Sequence, residues 1–396
     1  MTRFRPDDER DLAQIITAAV AQEEPLEIVA GGSKRGLGRP LQTPHVLDMT
    51  AFSGIRDYEP EELVLTAGAA TPMPEIEAAL AAKGQMLAFE PPDWRGVFGG
   101  TGAPTLGGVI ACNLAGPRRI KMGAARDHFL GFRAVSGRGE AFKAGGKVVK
   151  NVTGYDLAKL IAGSYGTLAV VTEVTVKVLP LAAEERTLVL HGLDDARALH
   201  AMAEALNSSH ELSGAAHLPA GASGGDRPLT ALRLEGPLPS VMARAEALAR
   251  ELGAFGLAET LATPPSRALW RAVREGAPLA SDRTRVLWRC SVPPSAGPAL
   301  AAAVSRAVDA RSFFDWGGGL VWLAVPGAGD GGAAVIRAAV AASGGHATLL
   351  RAPDALRAAI PVFEPQAPAL AALTRRVKDA FDPKRILNRG RMYADV

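Results

Sequence analysis

Glycine is concentrated in one part of this 396-residue chain. Sixteen of the 43 glycines fall between Gly96 and Gly166, about twice the density of the chain as a whole. Glycine loses more conformational freedom on folding than any other residue, so this concentration needs a structural reason. Two reasons are open, a run of tight turns or a backbone that approaches a ligand closely.

A separate glycine loop lies nearer the start of the chain. Residues 26–30 form a short apolar run with strand character and lead into residues 31–38, GGSKRGLG. Successive backbone N–H groups in such a loop can form an anion-binding nest, to which Lys34 or Arg35 would add positive charge. The loop lacks the Gly-Lys-Ser/Thr ending of a phosphate-binding P-loop and the G-x-G-x-x-G spacing of a dinucleotide fingerprint. On its own it is equally compatible with a surface turn.

Two further glycine blocks lie inside the rich region. The second spans residues 99–119, where small side chains would let the backbone lie against a flat or charged ligand. The third spans residues 145–174 and ends in a turn that feeds a strand, which we expect to run to Val178 before Pro180.

Composition excludes several classes of protein. A length of 396 residues suggests two or three domains. The two cysteines, Cys112 and Cys290, lie far apart, which excludes an iron–sulfur cluster or Cys-rich zinc site held by this chain alone, and also a disulfide scaffold. The net charge of +3 gives no support to nucleic-acid binding. We therefore expect no metal and no nucleic acid.

The sequence shows no targeting signal. Its first ten residues, MTRFRPDDER, have no apolar signal core, and no apolar run approaches the roughly 18 residues of a membrane span. We predict a cytoplasmic protein, and attachment to the inner membrane through partner subunits stays open.

The pattern changes beyond Pro180 to short strands that alternate with alanine-rich helices. The predicted strands are 186–191, 212–218, 229–235, 256–261, 285–292, 311–316, 319–325 and 346–351. The predicted helices are 194–206, 239–252, 265–275, 296–309, 333–342 and 366–380. The order strand–helix–strand–strand–helix–strand occurs twice, which is the split β-α-β pattern of ferredoxin-like sheets.

The glycine blocks, in their order, resemble the FAD-binding domain of the vanillyl-alcohol oxidase/PCMH flavoprotein superfamily over about residues 1–181. Within it the whole chain is similar to the FAD-binding E subunits of three-part glycolate oxidases. The resemblance is carried by residues 90–92 (EPP), 114–119 (LAGPRR), 150–157 (KNVTGYDL), 163–166 (GSYG), 315–318 (DWGG), 344–348 (GGHAT) and 388–394 (NRGRMYA).

The resemblance implies an α+β fold. A PCMH-type two-subdomain FAD-binding domain would occupy residues 1–181, and a ferredoxin-like cap domain with a large antiparallel sheet residues 182–375. Residues 376–396 would return to the FAD domain. The family's terminal Asn-Pro-Gly is Asn388-Arg389-Gly390 here, so the backbone loses the restriction that proline would impose.

The resemblance also implies the residues that bind FAD. The loop on the FAD diphosphate corresponds to Gly31, Gly32, Ser33, Lys34 and Gly36. The block along the diphosphate and the flavin edge corresponds to Pro91, Gly99, Leu106, Gly107, Gly108, Ala111, Asn113 and Gly116. The block on the other side of the cofactor corresponds to Lys150, Gly154, Asp156, Gly166 and Val171, and Asn388 is added from the terminal motif. The first loop has no histidine that could tether the flavin, so we predict noncovalent FAD.

Substrate chemistry is expected in the cap. His346, in the segment GGHAT, is the candidate base, because an imidazole suits proton removal near neutral pH. A hydrogen-bonded strand histidine is the simpler alternative. Arg271, Arg274 and Arg289 could hold a carboxylate or could form a solvated face.

Three functions stay open. In the first, the chain is the FAD-binding subunit of a glycolate oxidase complex, which oxidises glycolate or another small 2-hydroxy acid to the 2-oxo acid. Its partners would be a sister FAD subunit, which could itself carry catalysis, and a Cys-rich iron–sulfur subunit. In the second, it is a stand-alone FAD-dependent 2-hydroxy-acid dehydrogenase. In the third, it is a non-catalytic assembly scaffold with a degenerate flavin fold.

Overall fold

The computed structural model describes residues 2–147 and 154–396. The chain divides into two compact units. The first unit comprises residues 1–115, 123–181 and 365–396, and the second comprises residues 116–122 and 182–364.

These units differ from the expected boundaries in two places. The expected boundary after residue 375 falls inside the helix Pro368–Phe381, which belongs to the first unit because Lys378 Nζ donates to Thr167 O there at 2.6 Å. The segment 116–122 groups with the second unit, because Arg118 pairs with Glu235 at 2.7 Å. Both boundaries therefore depend on contacts between residues that are far apart in the sequence, and not on the order of segments along the chain.

Two sheets form the framework of the first unit. Strand His45–Asp48 lies between Thr2–Phe4 and Leu26–Val29 in a three-stranded parallel sheet. The second sheet has five antiparallel strands in the order Ile55–Glu59, Val64–Gly68, Ala169–Lys177, Phe129–Ser136 and Ala141–Gly145. A short ribbon pairs Gln85–Met86 with Leu179–Pro180.

Helices cover these sheets. They are Glu9–Gln22, Met73–Ala81, Arg95–Phe98, Leu106–Ala111, Ala125–His128, Leu157–Ile161 and Pro368–Phe381. The first begins at Asp8, whose side chain accepts the backbone N–H groups of Arg10 and Asp11. Leu12 and Ile16, one turn apart, bury their side chains in the core of the unit.

The second unit is built on one antiparallel sheet of eight strands. Their order is Ala258–Leu261, Glu184–His191, Leu229–Gly236, Gly214–Leu218, Arg311–Asp315, Leu320–Pro326, Arg285–Ser291 and His346–Arg351. Each half has the strand order 4-1-3-2 of a ferredoxin-like unit, and the two halves join where His217 pairs with Phe314. The large antiparallel sheet that the resemblance implied is therefore present.

The α-helices of the second unit are Arg119–Met122, Asp195–Asn207, Leu238–Glu251, Thr263–Arg274, Ala277–Ala280, Gly297–Ala307, Ala333–Ser343 and Asp354–Ala359. Short 3-10 turns occupy Leu252–Phe255, Pro294–Ala296 and Trp316–Gly318. Ala198, Ala201 and Met202 of one helix pack with Leu188 and Leu232 of the sheet.

All eight strands and six helices expected beyond Pro180 are present, with ends shifted by at most a few residues. Their alternating and 3.6-residue hydrophobic periods were long enough to be informative. The short helices Arg119–Met122, Ala277–Ala280 and Asp354–Ala359 were not expected, because four to six residues carry too little periodicity. The described residues contain no helix that is long and apolar enough to cross a membrane.

Candidate functional site

An open cleft lies in the first unit. Its walls come from six separate stretches of sequence: Ile28–Leu37 without Gly36, Met49, Ala69–Ala70, part of 105–112, part of 161–171, and Asn388 with Arg391. The fold therefore brings both ends of the chain and the glycine-rich region to one site.

The backbone of the first glycine loop packs closely against the start of the second block. A Cβ atom on Gly31 would lie 1.9 Å from the carbonyl oxygen of Ala103, and one on Gly102 would lie 1.6 Å from the carbonyl oxygen of Gly31. Any side chain at either position would overlap the other segment. These two glycines are needed because two backbone segments meet at the wall of the cleft.

The helix Leu106–Ala111 lies beside this loop. Thr105 caps it, since its Oγ1 accepts the N–H of Gly108 at 3.4 Å. A Cβ on Gly107 would lie 2.8 Å from the carbonyl oxygen of Ala69, so glycine allows the helix to pack against the residue that follows strand Val64–Gly68. A Cβ on Gly108 would lie 3.6 Å from Lys34 Nζ.

Lys34 supplies positive charge to the cleft. Its Nζ donates to Ser33 Oγ at 3.2 Å. Desolvation lowers the pKa of Lys34 from its ordinary value, and the nearby Cys112 and Asp93 oppose that shift only in part. An ammonium group that has lost hydration is stabilised by an anion placed in the cleft.

Cys112 also lines the cleft, and its surroundings keep it protonated. Desolvation raises the pKa of its thiol, while the charges of Lys34 and Arg391 act in the opposite direction.

Asn388 and Gly166 meet at another wall. Asn388 Oδ1 accepts the N–H of Ile28 at 2.9 Å, and its Nδ2 donates to Tyr165 O at 2.8 Å. The asparagine has φ +43°, in the left-handed region that this residue type tolerates. A Cβ on Gly166 would lie 2.8 Å from Asn388 Nδ2, so the contact requires glycine.

Arg391 is a cleft residue that sequence reasoning missed. Its guanidinium donates to the carbonyl oxygens of Arg35 and Leu37 and to Glu27. It stands three residues after Asn388, inside the segment that carried the resemblance, but nothing in its sequence context distinguishes it from the exposed Arg389.

The structure separates the predicted cofactor residues into two groups. The cleft is lined by Gly31, Gly32, Ser33, Lys34, Gly107, Gly108, Ala111, Gly166, Val171 and Asn388. Gly36, Pro91, Gly99, Leu106, Asn113, Gly116, Gly154 and Asp156 are not part of that lining. Lys150 lies outside the described residues.

Several residues of the second group have structural positions that explain their type. Leu106 is fully buried in the core. Asn113 accepts the N–H of Arg126 at 2.9 Å, and Asp156 caps the helix Leu157–Ile161. Gly116 belongs to the second unit, where its carbonyl accepts Trp316 Nε1 at 3.1 Å. The family motifs therefore contain both residues that line the cleft and residues that stabilise the backbone around the cleft.

His346 begins the edge strand of the eight-stranded sheet and pairs with Ser291. Its ring is exposed, yet desolvation by its surroundings lowers its pKa, and the charges of Arg289 and Arg119 lower it further against the opposing charge of Glu364. Its neutral form is therefore favoured near neutral pH, which suits a proton acceptor.

The three arginines considered for a carboxylate have different surroundings. Arg271 is exposed, Arg274 donates to Glu275 at 2.8 Å, and Arg289 lies over the ring of Trp316 at 5.1 Å. Within residues 2–147 and 154–396 no cluster of three or more His, Cys, Asp or Glu side chains could hold a metal ion.

The cleft fits the cofactor that the resemblance implied. A dinucleotide flavin carries two phosphates and a flat, largely apolar ring system. The glycine loop offers backbone N–H groups and the Lys34 ammonium, while Ile28, Ile161 and Val171 provide apolar walls.

Comparison with known proteins supports FAD as the cofactor. Residues 3–145 match the FAD binding domain family, and residues 362–392 match the C-terminal domain of FAD linked oxidases. The glycolate oxidase subunit GlcE of Escherichia coli is 36% identical over 98% of this chain and 99% of its own length. D-lactate dehydrogenase of Archaeoglobus fulgidus is 30% identical over 44% of this chain and 38% of its own.

The fold is shared with solved structures of low sequence identity. p-Cresol methylhydroxylase superposes with a TM-score of 0.73 at 13% identity, over 99% of this chain and 88% of that one. The 4-ethylphenol oxidase of Gulosibacter chungangensis gives 0.72 at 14%, over 99% and 89%. Together with the full-length likeness to GlcE, these findings identify an FAD-dependent oxidoreductase with a PCMH-type fold, and the chain belongs to the GlcE family of glycolate oxidase subunits.

Proposed function

We propose that this chain is the FAD-binding subunit of a complex that oxidises glycolate, or a similar small 2-hydroxy acid, to the 2-oxo acid, which is glyoxylate when glycolate is the substrate. The observation that carries the proposal is a glycine-lined cleft with the Lys34 ammonium, in a chain that matches a glycolate oxidase subunit along its whole length. Oxidation of the alcohol removes two electrons and two protons, and the complex passes the electrons to an iron–sulfur partner.

Different residues of the cleft contact different parts of the cofactor in this proposal. The glycine loop, with Gly31, Gly32 and Lys34, binds the diphosphate through backbone N–H groups and one ammonium. Gly107, Gly108 and Ala111 leave room for the cofactor along the second wall, and Gly166, Val171 and Asn388 close the third. Bound FAD supplies the hydride acceptor of the reaction.

We propose that FAD binds without a covalent tether. Among the residues that the structure describes, none of those lining the cleft is a histidine, and the cysteine there, Cys112, has a raised pKa that disfavours the reactive thiolate. Acid precipitation of the purified protein should leave the yellow cofactor in the supernatant. A precipitate that keeps its flavin would contradict noncovalent binding.

His346 is our candidate for the group that accepts the hydroxyl proton, either in this chain's own reaction or in support of a sister FAD subunit that carries catalysis. Its lowered pKa leaves the imidazole neutral near pH 7, as a base must be. Glu364 does not compete for this role, because Arg337 donates to it at 2.7 Å and Ala347 N donates to it at 2.9 Å.

The proposed iron–sulfur partner is a separate polypeptide, because this chain has only Cys112 and Cys290. Iron–sulfur clusters are usually held by four cysteine thiolates, so the clusters must lie on another subunit. We propose a sister FAD subunit and an iron–sulfur subunit as partners, and a cytoplasmic complex that reaches the inner membrane through them.

The test is purification of the native complex through an affinity tag on this chain. We expect a second flavoprotein and an iron–sulfur protein to co-purify, and anaerobic glycolate to bleach the flavin absorption. Recovery of neither protein would contradict the proposed complex. Bleaching of the isolated chain by a 2-hydroxy acid would favour a stand-alone dehydrogenase, and an isolated chain that takes up no FAD would favour a scaffold.

A further inference from the structure

The C-terminal segment 386–391 lies directly against the strand that leads into the glycine loop. Leu26 N donates to Ile386 O at 2.7 Å, and Asn388 N donates to Leu26 O at 3.0 Å, which forms a parallel bridge between Leu26 and Leu387. The segment thereby extends the three-stranded sheet by a short fourth element. It brings Arg391 to the base of the loop.

The side chain of Arg391 holds the loop from within. Nη1 donates to the carbonyl oxygens of Arg35 and Leu37 at 3.0 and 3.2 Å, and Nη2 donates to Glu27 Oε1 at 3.1 Å. The backbone adds a contact, since Arg39 N donates to Arg391 O at 2.8 Å. A planar guanidinium can direct several donors at once, which a lysine ammonium on the same stem cannot reproduce.

The residues around Arg391 pack closely against its side chain. Gly38 has φ +83°, and a Cβ there would lie 2.7 Å from Arg391 Cδ. Glu27 is only 6% exposed and also accepts Arg35 Nε at 3.0 Å. Burial alone would raise the pKa of Glu27, but the hydrogen bond and charge of Arg35, with the charge of Arg391, lower it below its ordinary value.

Arg391 thus holds two carbonyl groups of the loop, those of Arg35 and Leu37. Arg391 also lines the cleft itself and is 7% exposed. Arg391, Lys34 and Arg35 outnumber the nearby carboxylates of Glu27 and Asp93, so the site carries an excess of positive charge that suits two phosphates.

We propose that Arg391 is a positioning residue of the cofactor site, which holds the glycine loop in the shape that binds the diphosphate of FAD. This inference rests on the proposed function of the loop. It assigns a role in cofactor binding to the C-terminal segment beyond the contact made by Asn388.

The experiment compares Arg391→Lys and Arg391→Met with the matched control Arg389→Met, which removes an exposed arginine two residues away. FAD affinity is measured by titration of the apoprotein, and the thermal midpoint of the apoprotein is measured separately. We expect both Arg391 variants to bind FAD at least about tenfold more weakly, with Arg389→Met unchanged. Arg391→Lys keeps the charge next to Glu27, so its apoprotein should retain a midpoint close to the wild-type value.

Tryptic cleavage of the apoprotein after Lys34 and Arg35 reports the loop directly, without FAD. Arg391→Lys should be cut there several times faster than Arg389→Met. Unchanged FAD affinity in Arg391→Lys, or a loss matched by a general fall in apoprotein stability, would overturn the proposal. Lys34→Met separates the two proposals, because normal FAD binding by that variant would contradict the loop as the diphosphate site, while the cleavage rates still test whether Arg391 holds it.

Discussion

Gly102 and Gly100 stand two residues apart, yet their surroundings are opposite. A Cβ on Gly102 would lie 1.6 Å from Gly31 O, whereas the nearest atom to a Cβ on Gly100 is Ser33 Cα at 3.9 Å. Both have φ outside the left-handed region, so alanine adds only its methyl group.

We predict that Gly102→Ala shifts the glycine loop and weakens FAD binding. The overlap should cost about 1–3 kcal/mol, as overpacking does elsewhere, and the apoprotein should unfold at a lower temperature. Gly100→Ala is the control and should behave as the wild type in both FAD titration and thermal unfolding. Equal behaviour of the two variants would show that the close approach of the segments is unimportant.

The ionisation of His346 gives a second prediction for a single residue. Desolvation, then the charges of Arg289 and Arg119, lower its pKa below the ordinary histidine value of about 6.5. If His346 accepts the proton, kcat/KM of the complex for glycolate should rise with pH through an inflection below 6.5.

Arg119→Gln should move that inflection to higher pH, because it removes a charge that opposes protonation. His346→Gln should abolish the inflection. A profile that neither substitution changes would exclude His346 as the base.

At the scale of elements, a buried ionic network joins the helix-bearing segment 116–122 to the sheet of the second unit. Arg118 donates to both oxygens of Glu235, at 2.9 and 2.7 Å, and Arg233 lies nearby over the ring of Trp270. Burial would raise the pKa of Glu235, but Arg233 and Arg118 lower it to about 2. Burial raises the pKa of the neighbouring Glu185, despite the charge of Arg233.

Because the pKa values of Glu235 and Glu185 shift in opposite directions, pH should affect their contributions to stability in opposite ways. Because the folded pKa of Glu235 lies below its unfolded value, its contribution to stability is fully present above about pH 4.5 and is lost as the pH falls towards 2. Glu185 has a raised folded pKa, so its ionisation weakens the fold as the pH rises.

Glu235→Gln should therefore destabilise the protein by about 3–5 kcal/mol at pH 7, since Arg118 and Arg233 lose a buried charge partner. Glu185→Gln should cost much less, because its amide oxygen can still accept from Ser266 Oγ, which lies 2.6 Å from Glu185 Oε1. Urea unfolding at pH 7 and pH 3 measures both effects. A larger loss for Glu185→Gln than for Glu235→Gln would contradict this description of the network.

The order and type of the helices and strands could largely be predicted from the sequence, whereas the tertiary contacts between them could not. The two strand–helix repeats beyond Pro180 follow from periodicity, and the 4-1-3-2 order follows from the ferredoxin-like pattern. Nothing in residues 116–122 indicates that Arg118 pairs with Glu235, because the pair is 117 positions apart in sequence.

At the scale of the whole molecule, the cofactor cleft depends on segments far apart in the chain. Residues near 31, 107, 166 and 388 line one volume. A ligand that contacts all of these segments should reduce the local unfolding of all of them together.

We predict that FAD slows amide hydrogen exchange of the apoprotein in residues 31–38, 105–112 and 386–391 at the same ligand concentration. Strand Ile55–Glu59 lies in the first unit but contributes nothing to the cleft lining, so it serves as the internal control. Protection confined to one of the three segments would contradict a shared site.

The sequence by itself determined the cofactor class, the three glycine blocks and the succession of helices and strands, because glycine placement and hydrophobic period are local properties. It also determined that this chain alone cannot hold an iron–sulfur cluster, because two cysteines cannot ligate one. Only the tertiary structure decided which members of each motif reach the cleft. Asn113 and Asp156 instead complete local backbone hydrogen bonds, and Arg391 joins the site through contacts more than 350 positions away. Such contacts depend on chain segments that meet only on folding, so no local sequence pattern indicates them.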